Sequence, residues 1–158
     1  LEKIAINSHA IENPEFIKES SYLFGSQAIL ISIDVKKNIF GRYEVYSHGG
    51  NKRTRLDPIK WAKTCEKEGA GELLVNSIDK DGTMSGFDLQ LLENIANSVS
   101  IPVIICGGAK SISDFKKAQE AGASGIAAGS LFVYSGFKQG VLINFPSPNK
   151  LQQVLGKY

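Results

Sequence analysis

The sequence predicts an α/β fold built on a parallel sheet, and three observations carry that prediction. Apolar runs of strand length alternate with amphipathic stretches of helix length along the whole chain, which is the pattern of repeated βα units. The run Ala28-Ile29-Leu30-Ile31-Ser32-Ile33-Asp34 is almost wholly apolar, so both of its faces are to be buried, as in parallel sheets. Three related segments, Phe24-Gly25-Ser26-Gln27, Gly69-Ala70-Gly71-Glu72 and Gly122-Ala123-Ser124-Gly125, each end a helix on glycine just before a strand begins. Crossovers of this kind are right-handed.

The elements follow in order. Lys3-Ile4-Ala5-Ile6-Asn7 is the first strand, and Asn13-Pro14 supplies an N-cap and first-turn proline for a helix whose Phe16, Ile17 and Leu23 face the core. Gly25 ends it, and residues 28–34 form the second strand. Ile39-Phe40 and Tyr43-Glu44-Val45-Tyr46 flank Gly41-Arg42 as a small hairpin. Asp57-Pro58 opens a helix carrying Ile59, Ala62 and Cys65, closed by Gly69. A third strand runs from Glu72 to Ile78, and Asp88 caps a helix with Leu91, Leu92 and Ile95. A fourth strand spans Pro102 to Cys106, followed by a helix after Ser113-Asp114. The fifth is Gly125-Ile126-Ala127-Ala128, and Ser147-Pro148 starts a last helix with Leu151 and Val154.

Bulk properties exclude several function classes. The 158 residues suffice for one core, and no linker or low-complexity stretch divides residues 1–158. A net charge of +2 is too small to argue for nucleic acid, and the cluster Lys52-Arg53-Thr54-Arg55 reads as a solvated loop. Cys65 and Cys106 lack the spacing of a disulfide framework or a zinc site. The expectation is therefore a reduced, cytoplasmic protein with no metal and no cofactor. No apolar run approaches the roughly 18 residues of a membrane span. The chain starts without Met, inside what reads as a strand, which predicts a missing N-terminal part.

Polar and small residues collect where the strands end: Asn7-Ser8, Asp34, Asn76-Ser77, Gly107-Gly108 and Gly129-Ser130. Ligands bind at that end both in open α/β sheets and in barrels, and the residues fit either architecture. No GxGxxG follows the first strand, which argues against a dinucleotide site. Glycines at two consecutive strand ends let backbone N–H groups approach a phosphate, although each pair alone can be a simple turn. The loop from Asp79 to Gly86 has Gln90 where a calcium loop needs Glu. Its amides suit an anion, with Asp81 orienting Gly82 or bonding a hydroxyl; a plain surface turn is the alternative. Asp34 closes an apolar strand, so its carboxylate is either a general acid or base or a structural cap, with Lys36 on the same face. His9 and His48 read as loop residues, and Trp61 as core or interface.

Several of these segments together resemble the cyclase subunit of imidazole glycerol phosphate synthase, the HisF family. They are Ile4-Ala5-Ile6-Asn7-Ser8 with Glu12-Asn13-Pro14, Ser32-Ile33-Asp34-Val35-Lys36, Ser77-Ile78-Asp79-Lys80-Asp81-Gly82-Thr83 with Ser85-Gly86, Gly107-Gly108-Ala109 and Ala128-Gly129-Ser130. The resemblance implies a (β/α)8 TIM barrel of which this chain supplies strands 4 to 8, as one partial domain. It implies an ammonia-dependent cyclase/lyase of histidine biosynthesis, fed by a glutaminase (HisH-like) subunit and acting on a bis-phosphorylated ribonucleotide. Asp34 matches one of two catalytic aspartates, the other lying on a first strand that this chain lacks. Asn7 and Ser8 match positions that hold one substrate phosphate. Asp81, Gly82, Gly107, Gly108, Gly129 and Ser130 match positions around the other. Lys3 and Glu72 match a charged ammonia gate, or form a stabilising rim pair.

Three departures qualify the resemblance. Asn76 and Cys106 stand where hydroxyl residues are usual, and the tail Gly140-Val141-Leu142-Ile143-Asn144-Phe145-Pro146 looks like that of paralogues in surface-polysaccharide clusters. Those are thought to channel ammonia for amidination of a nucleotide sugar. A non-catalytic, phosphate-binding fragment is the third alternative, and the isolated chain is expected to be inactive.

Overall fold

The computed structural model describes residues 3–135, 140–141, 143 and 145–156. Its elements are β1 (Ile4–Ile6), α1 (Ser8–Glu12), α2 (Glu15–Phe24), a 3-10 turn (Ser26–Ala28), β2 (Ile29–Lys37), β3 (Tyr43–Ser47), β4 (Lys52–Arg53), α3 (Pro58–Lys67), β5 (Glu72–Ser77), α4 (Leu89–Ala96), β6 (Val103–Cys106), α5 (Ile112–Glu120), β7 (Gly125–Ile126), α6 (Ser130–Val133), β8 (Tyr134–Ser135), β9 (Gly140–Val141) and α7 (Pro148–Leu155). Strands β1, β2, β5, β6 and β7 lie side by side and all pair in parallel. Spatial order equals chain order, so every crossover steps one place onward. A doubly wound sheet reverses direction at a switch point. This one does not, and it is an arc of (β/α)8-barrel type.

Register explains the core. Ile31 lies opposite Leu73, Ile33 opposite Val75, and Leu73 and Val75 opposite Val103 and Ile105. This face is completely covered, Ile29, Ile31, Ile33, Leu73, Val75 and Ile105 being inaccessible to solvent. Helical Ile17, Ala62, Cys65, Leu91, Leu92, Ile95 and Phe115 complete the same cluster. Each large aliphatic chain so buried contributes roughly 1.5–3 kcal/mol. The alternate residues Ala5, Leu30, Ser32, Asp34, Leu74, Asn76, Ile104 and Cys106 line the other, concave face.

Helix starts follow the local chemistry. Asp57 accepts a hydrogen bond from the Lys60 amide at 2.9 Å, with Pro58 in the first turn. Asp88 accepts from the Leu91 amide at 3.2 Å. Helix α5 begins at Ile112, three residues before the Phe115 start that Ser113-Asp114 implied, because Ser111 and Asp114 form a capping box.

Several expectations are corrected. Leu23 points outward and is 70% exposed, while Ile17 alone of its helix's apolar trio is fully buried. Pro14 is itself the cap of α2, and an unforeseen helix, α1, precedes it and carries His9. Ile39 and Phe40 are no strand: they sit 94% and 80% exposed in a turn. The hairpin is made by the end of β2 itself, with Lys37 opposite Tyr43 and Asp34 opposite Tyr46. The basic cluster is not simply a loop, because Lys52 and Arg53 pair with β3 and Arg53 forms an ion pair with Glu44. In the tail, Gly140–Val141 pair with Tyr134–Ser135; residues 142 and 144 of that tail lie outside the described residues.

Candidate active site

Asp34 is 9% exposed and ends the apolar part of β2. Its neighbours in the sheet each bring an amide. Asn7, just past β1, donates from Nδ2 to Asp34 Oδ2 at 2.8 Å. Asn76 on β5, directly opposite Asp34 in register, donates from Nδ2 to Asp34 Oδ1 at 3.0 Å. Both carboxylate oxygens are therefore held by neutral donors. Lys36 is exposed and makes no such bond among the described residues, so Asn7 and Asn76 replace it as the groups that fix Asp34.

Ser8 opens α1, and its Oγ accepts the backbone N–H of His48 at 2.7 Å. This bond ties the β3–β4 turn to the end of β1. His48 Nε2 lies 3.5 Å from Glu12, whose same oxygen is 3.8 Å from Lys52 Nζ. Asn7 and Ser8 thus stand together at the mouth, with Asn7 turned to Asp34 rather than outward.

The second cluster lies at the ends of β6 and β7. Asp81, Gly82, Gly107, Gly108, Gly129 and Ser130 line one small cleft with Met84, Ala109 and Ala128. Two glycines make this possible. Gly108 lies at φ +99°, and a Cβ there would stand 2.4 Å from the Gly86 carbonyl oxygen. The Gly86 amide donates to the Gly108 carbonyl at 2.7 Å, so the loop after β5 is fastened to the turn after β6. Gly107, at φ +88°, leaves room for Asn76 Oδ1, which would be 2.9 Å from its Cβ. Within the loop, Thr83 Oγ1 donates to the Lys80 carbonyl at 2.7 Å, and Asp79 accepts from the Lys37 amide at 2.8 Å. A larger cavity between α5, α6 and α7 is lined mainly by apolar residues, including Phe115, Ile126, Phe132 and Leu151. Its lining holds no charged group and shares no residue with the glycine-lined cleft.

Cys106 stands between the two clusters. Burial, then the Asp81 and Asp34 charges, push its thiol above the usual value. It is a neutral group at neutral pH. Lys3 and Glu72 form an ion pair at the opposite end of the sheet. Asn76 lies four positions along β5 from Glu72, roughly 13 Å of strand. Among the described residues no group of three His, Cys, Asp or Glu is placed to hold a metal ion.

The sequence singled out Asp34 but missed its clamp. The signal was present: Asn7 and Asn76 both sit at strand ends with the same inward parity. A second bond, Tyr43 Oη to Asp88 at 2.8 Å, had no sequence signal, since the residues are far apart in the chain.

Residues 1–138 match the family model described as "Histidine biosynthesis protein". The imidazole glycerol phosphate synthase subunit HisF of Petrotoga mobilis is 47% identical over 134 residues, covering 84% of this chain and 53% of its own length. The subunits of the same name from Alkaliphilus metalliredigens and Endomicrobium trichonymphae are each 47% identical, over 85% and 84% of this chain and 54% and 51% of theirs. The chain spans about half the length of these relatives.

Proposed function

This chain belongs to the histidine biosynthesis protein family, on its HisF branch, and from that premise we propose that it carries the substrate-phosphate cradle and one proton-transfer carboxylate of an ammonia-dependent cyclase/lyase. Asp34 moves protons as ammonia is incorporated into a bis-phosphorylated aminoimidazole-carboxamide ribonucleotide and the imidazole ring closes. The C–N bond to the carboxamide ribonucleotide breaks and one water is lost, so the products are imidazole glycerol phosphate, an aminoimidazole-carboxamide ribonucleotide and water. One substrate phosphate rests on the amides around Gly82, Gly108 and Ser130, near Asp81; the other lies by Asn7 and Ser8. Ammonia enters from a glutaminase subunit at the Lys3–Glu72 end and crosses the concave face.

The single observation that carries this reading is the pairing of a doubly clamped Asp34 with a glycine-lined cleft on the same edge of the sheet. A general acid or base is useful only if substrate is held within reach of it. The test is turnover of the ribonucleotide with ammonium salts by the protein that carries this chain. Asp34→Asn lowers the turnover number by about 10²–10⁴. Unchanged turnover would remove Asp34 from the reaction, and phosphate binding without any turnover supports a non-catalytic role.

A second reading has one specific observation in its favour. Asn76 and Cys106 pair in register beside Asp34, so the residues that depart from the HisF pattern touch the reactive carboxylate's surroundings. The paralogue reading, ammonia channelled to the amidination of a nucleotide sugar, gains if the protein binds a nucleotide sugar and leaves the ribonucleotide unchanged.

A further inference from the structure

The buried, unpartnered atoms of this molecule point to one residue beyond those already assigned. Among the described residues only two buried side-chain polar atoms lack a hydrogen-bond partner: Trp61 Nε1, in the core, and Asn76 Oδ1, at the site. A buried acceptor left unpaired is costly, so its orientation needs a reason. Asn76 donates through Nδ2 to Asp34 Oδ1 at 3.0 Å, while Oδ1 is turned against Gly107. Rotating the amide by half a turn would move Oδ1 away from Gly107. It would also set that oxygen against the Asp34 carboxylate, which has no proton to give when ionised. The observed orientation therefore forgoes one hydrogen bond in order to keep the other.

We propose that Asn76 is a positioning residue for Asp34, and that its amide, with that of Asn7, fixes the carboxylate in a single orientation as a hydrogen-bond acceptor. This inference deepens the proposed function and rests on Asp34 being the proton-transfer group. A hydroxyl in this place can donate or accept and so serves either protonation state. An amide serves the ionised state without rearrangement. Gly107 is part of the device: any side chain there would meet Asn76 Oδ1 and the Ser77 carbonyl within 3 Å. The same glycine that shapes the anion cleft thus leaves space for the Asp34 clamp.

The experiment compares the full chain with Asn76→Leu, which removes the donor at similar size, and Asn76→Ser, which keeps a donor. Three-bond couplings from the Asp34 backbone to its carboxyl carbon report whether the side chain holds one χ1 rotamer. The expected result is one rotamer in the parent and in Asn76→Ser, and averaged couplings in Asn76→Leu, with thermal unfolding still cooperative in all three. A single rotamer retained in Asn76→Leu would overturn the proposal. Where ribonucleotide turnover is present, Asn76→Leu also lowers kcat by on the order of 10- to 100-fold with KM within about twofold, and Asn76→Ser restores most of it. Averaged couplings in Asn76→Leu, where the protein that carries this chain shows no ribonucleotide turnover, would reject the proposed reaction while sustaining the role of Asn76. A coupling pattern unchanged beside measurable turnover would do the reverse.

Discussion

At Gly129 the backbone lies at φ −108°, and nothing stands within 4 Å of the position a Cβ would take. Fold alone does not require glycine there. Gly129→Ala should therefore leave stability within about 1 kcal/mol of the parent, while weakening binding of inorganic phosphate, because a methyl group enters the space a ligand would use. Calorimetric titration beside thermal melts separates the two effects; undiminished phosphate affinity would show that the Gly129 backbone is not approached. Gly108 makes the opposite case. Its positive φ and the 2.4 Å approach to the Gly86 carbonyl mean that Gly108→Ala strains the backbone and unseats the loop after β5, at a cost of roughly 2 kcal/mol or more. The cysteines give a third residue-scale expectation. Burial pushes the Cys65 thiol up to about 12, and Cys106 is raised by burial and two carboxylates. At neutral pH Cys65 should resist alkylation in the native state, and Cys106 should react more slowly than a free thiol. Rapid labelling of Cys106 would mean that its surroundings are more open than the geometry states.

At the scale of elements, the strands and the helix caps were legible because they follow local rules. Continuous apolar runs identified β2, β5 and β6, and Asp57-Pro58 and Asp88 marked helix starts. The hairpin was not legible, because its first strand is the end of β2, Asp34-Val35-Lys36-Lys37, where the apolar run has broken, and Ile39-Phe40 mimic a strand while occupying the turn. The turn is held instead by Asn38, whose Oδ1 accepts from the Phe40 and Arg42 amides at 2.9 and 3.1 Å. The site was half legible for the same reason: Asp34 stands out against its own strand, whereas parity marks Asn7 and Asn76 only as inward-facing and the register of three strands is what joins them to Asp34. The hairpin also carries a pH dependence. Hydrogen bonds from Arg53 and then Asn38 lower the Glu44 carboxyl to about 2. A depressed carboxylate stabilises the folded form above its unfolded value and loses that contribution as pH falls through the folded one. Amide exchange in β3 and β4 should therefore quicken as pH is lowered from about 4 towards 2 after correction for intrinsic rates, with a weaker effect at high salt because the pair is exposed. Arg53→Gln should remove most of this dependence; an unchanged profile in that variant would assign it to other groups.

For the whole molecule, the decisive feature is the winding of the sheet. Residue patterns left an open sheet and a barrel arc equally possible, and the strictly sequential order of β1, β2, β5, β6 and β7 decides for the arc. Among the described residues β1 pairs only with β2, and β7 only with β6. Two parallel edges thus present free N–H and C=O groups, a template for further strands. The concave face is also incompletely covered: Ala5 is exposed, and Leu74 and Ile104 are only half-buried. Covering both edges and that face would lower the free energy through ladder hydrogen bonds and apolar burial together. The 158-residue chain on its own is therefore expected to associate. Sedimentation equilibrium should give a mass at least twice the 17.1 kDa of one chain, and the unfolding temperature should rise with concentration, since partner binding stabilises the folded state by mass action. Supplying the chain with separately expressed N-terminal strands of a HisF relative should then dissociate these assemblies, because strands that complete the arc compete for the same two edges. A chain that stays monomeric at every concentration, with an unfolding temperature independent of it, would show that the edges are already protected.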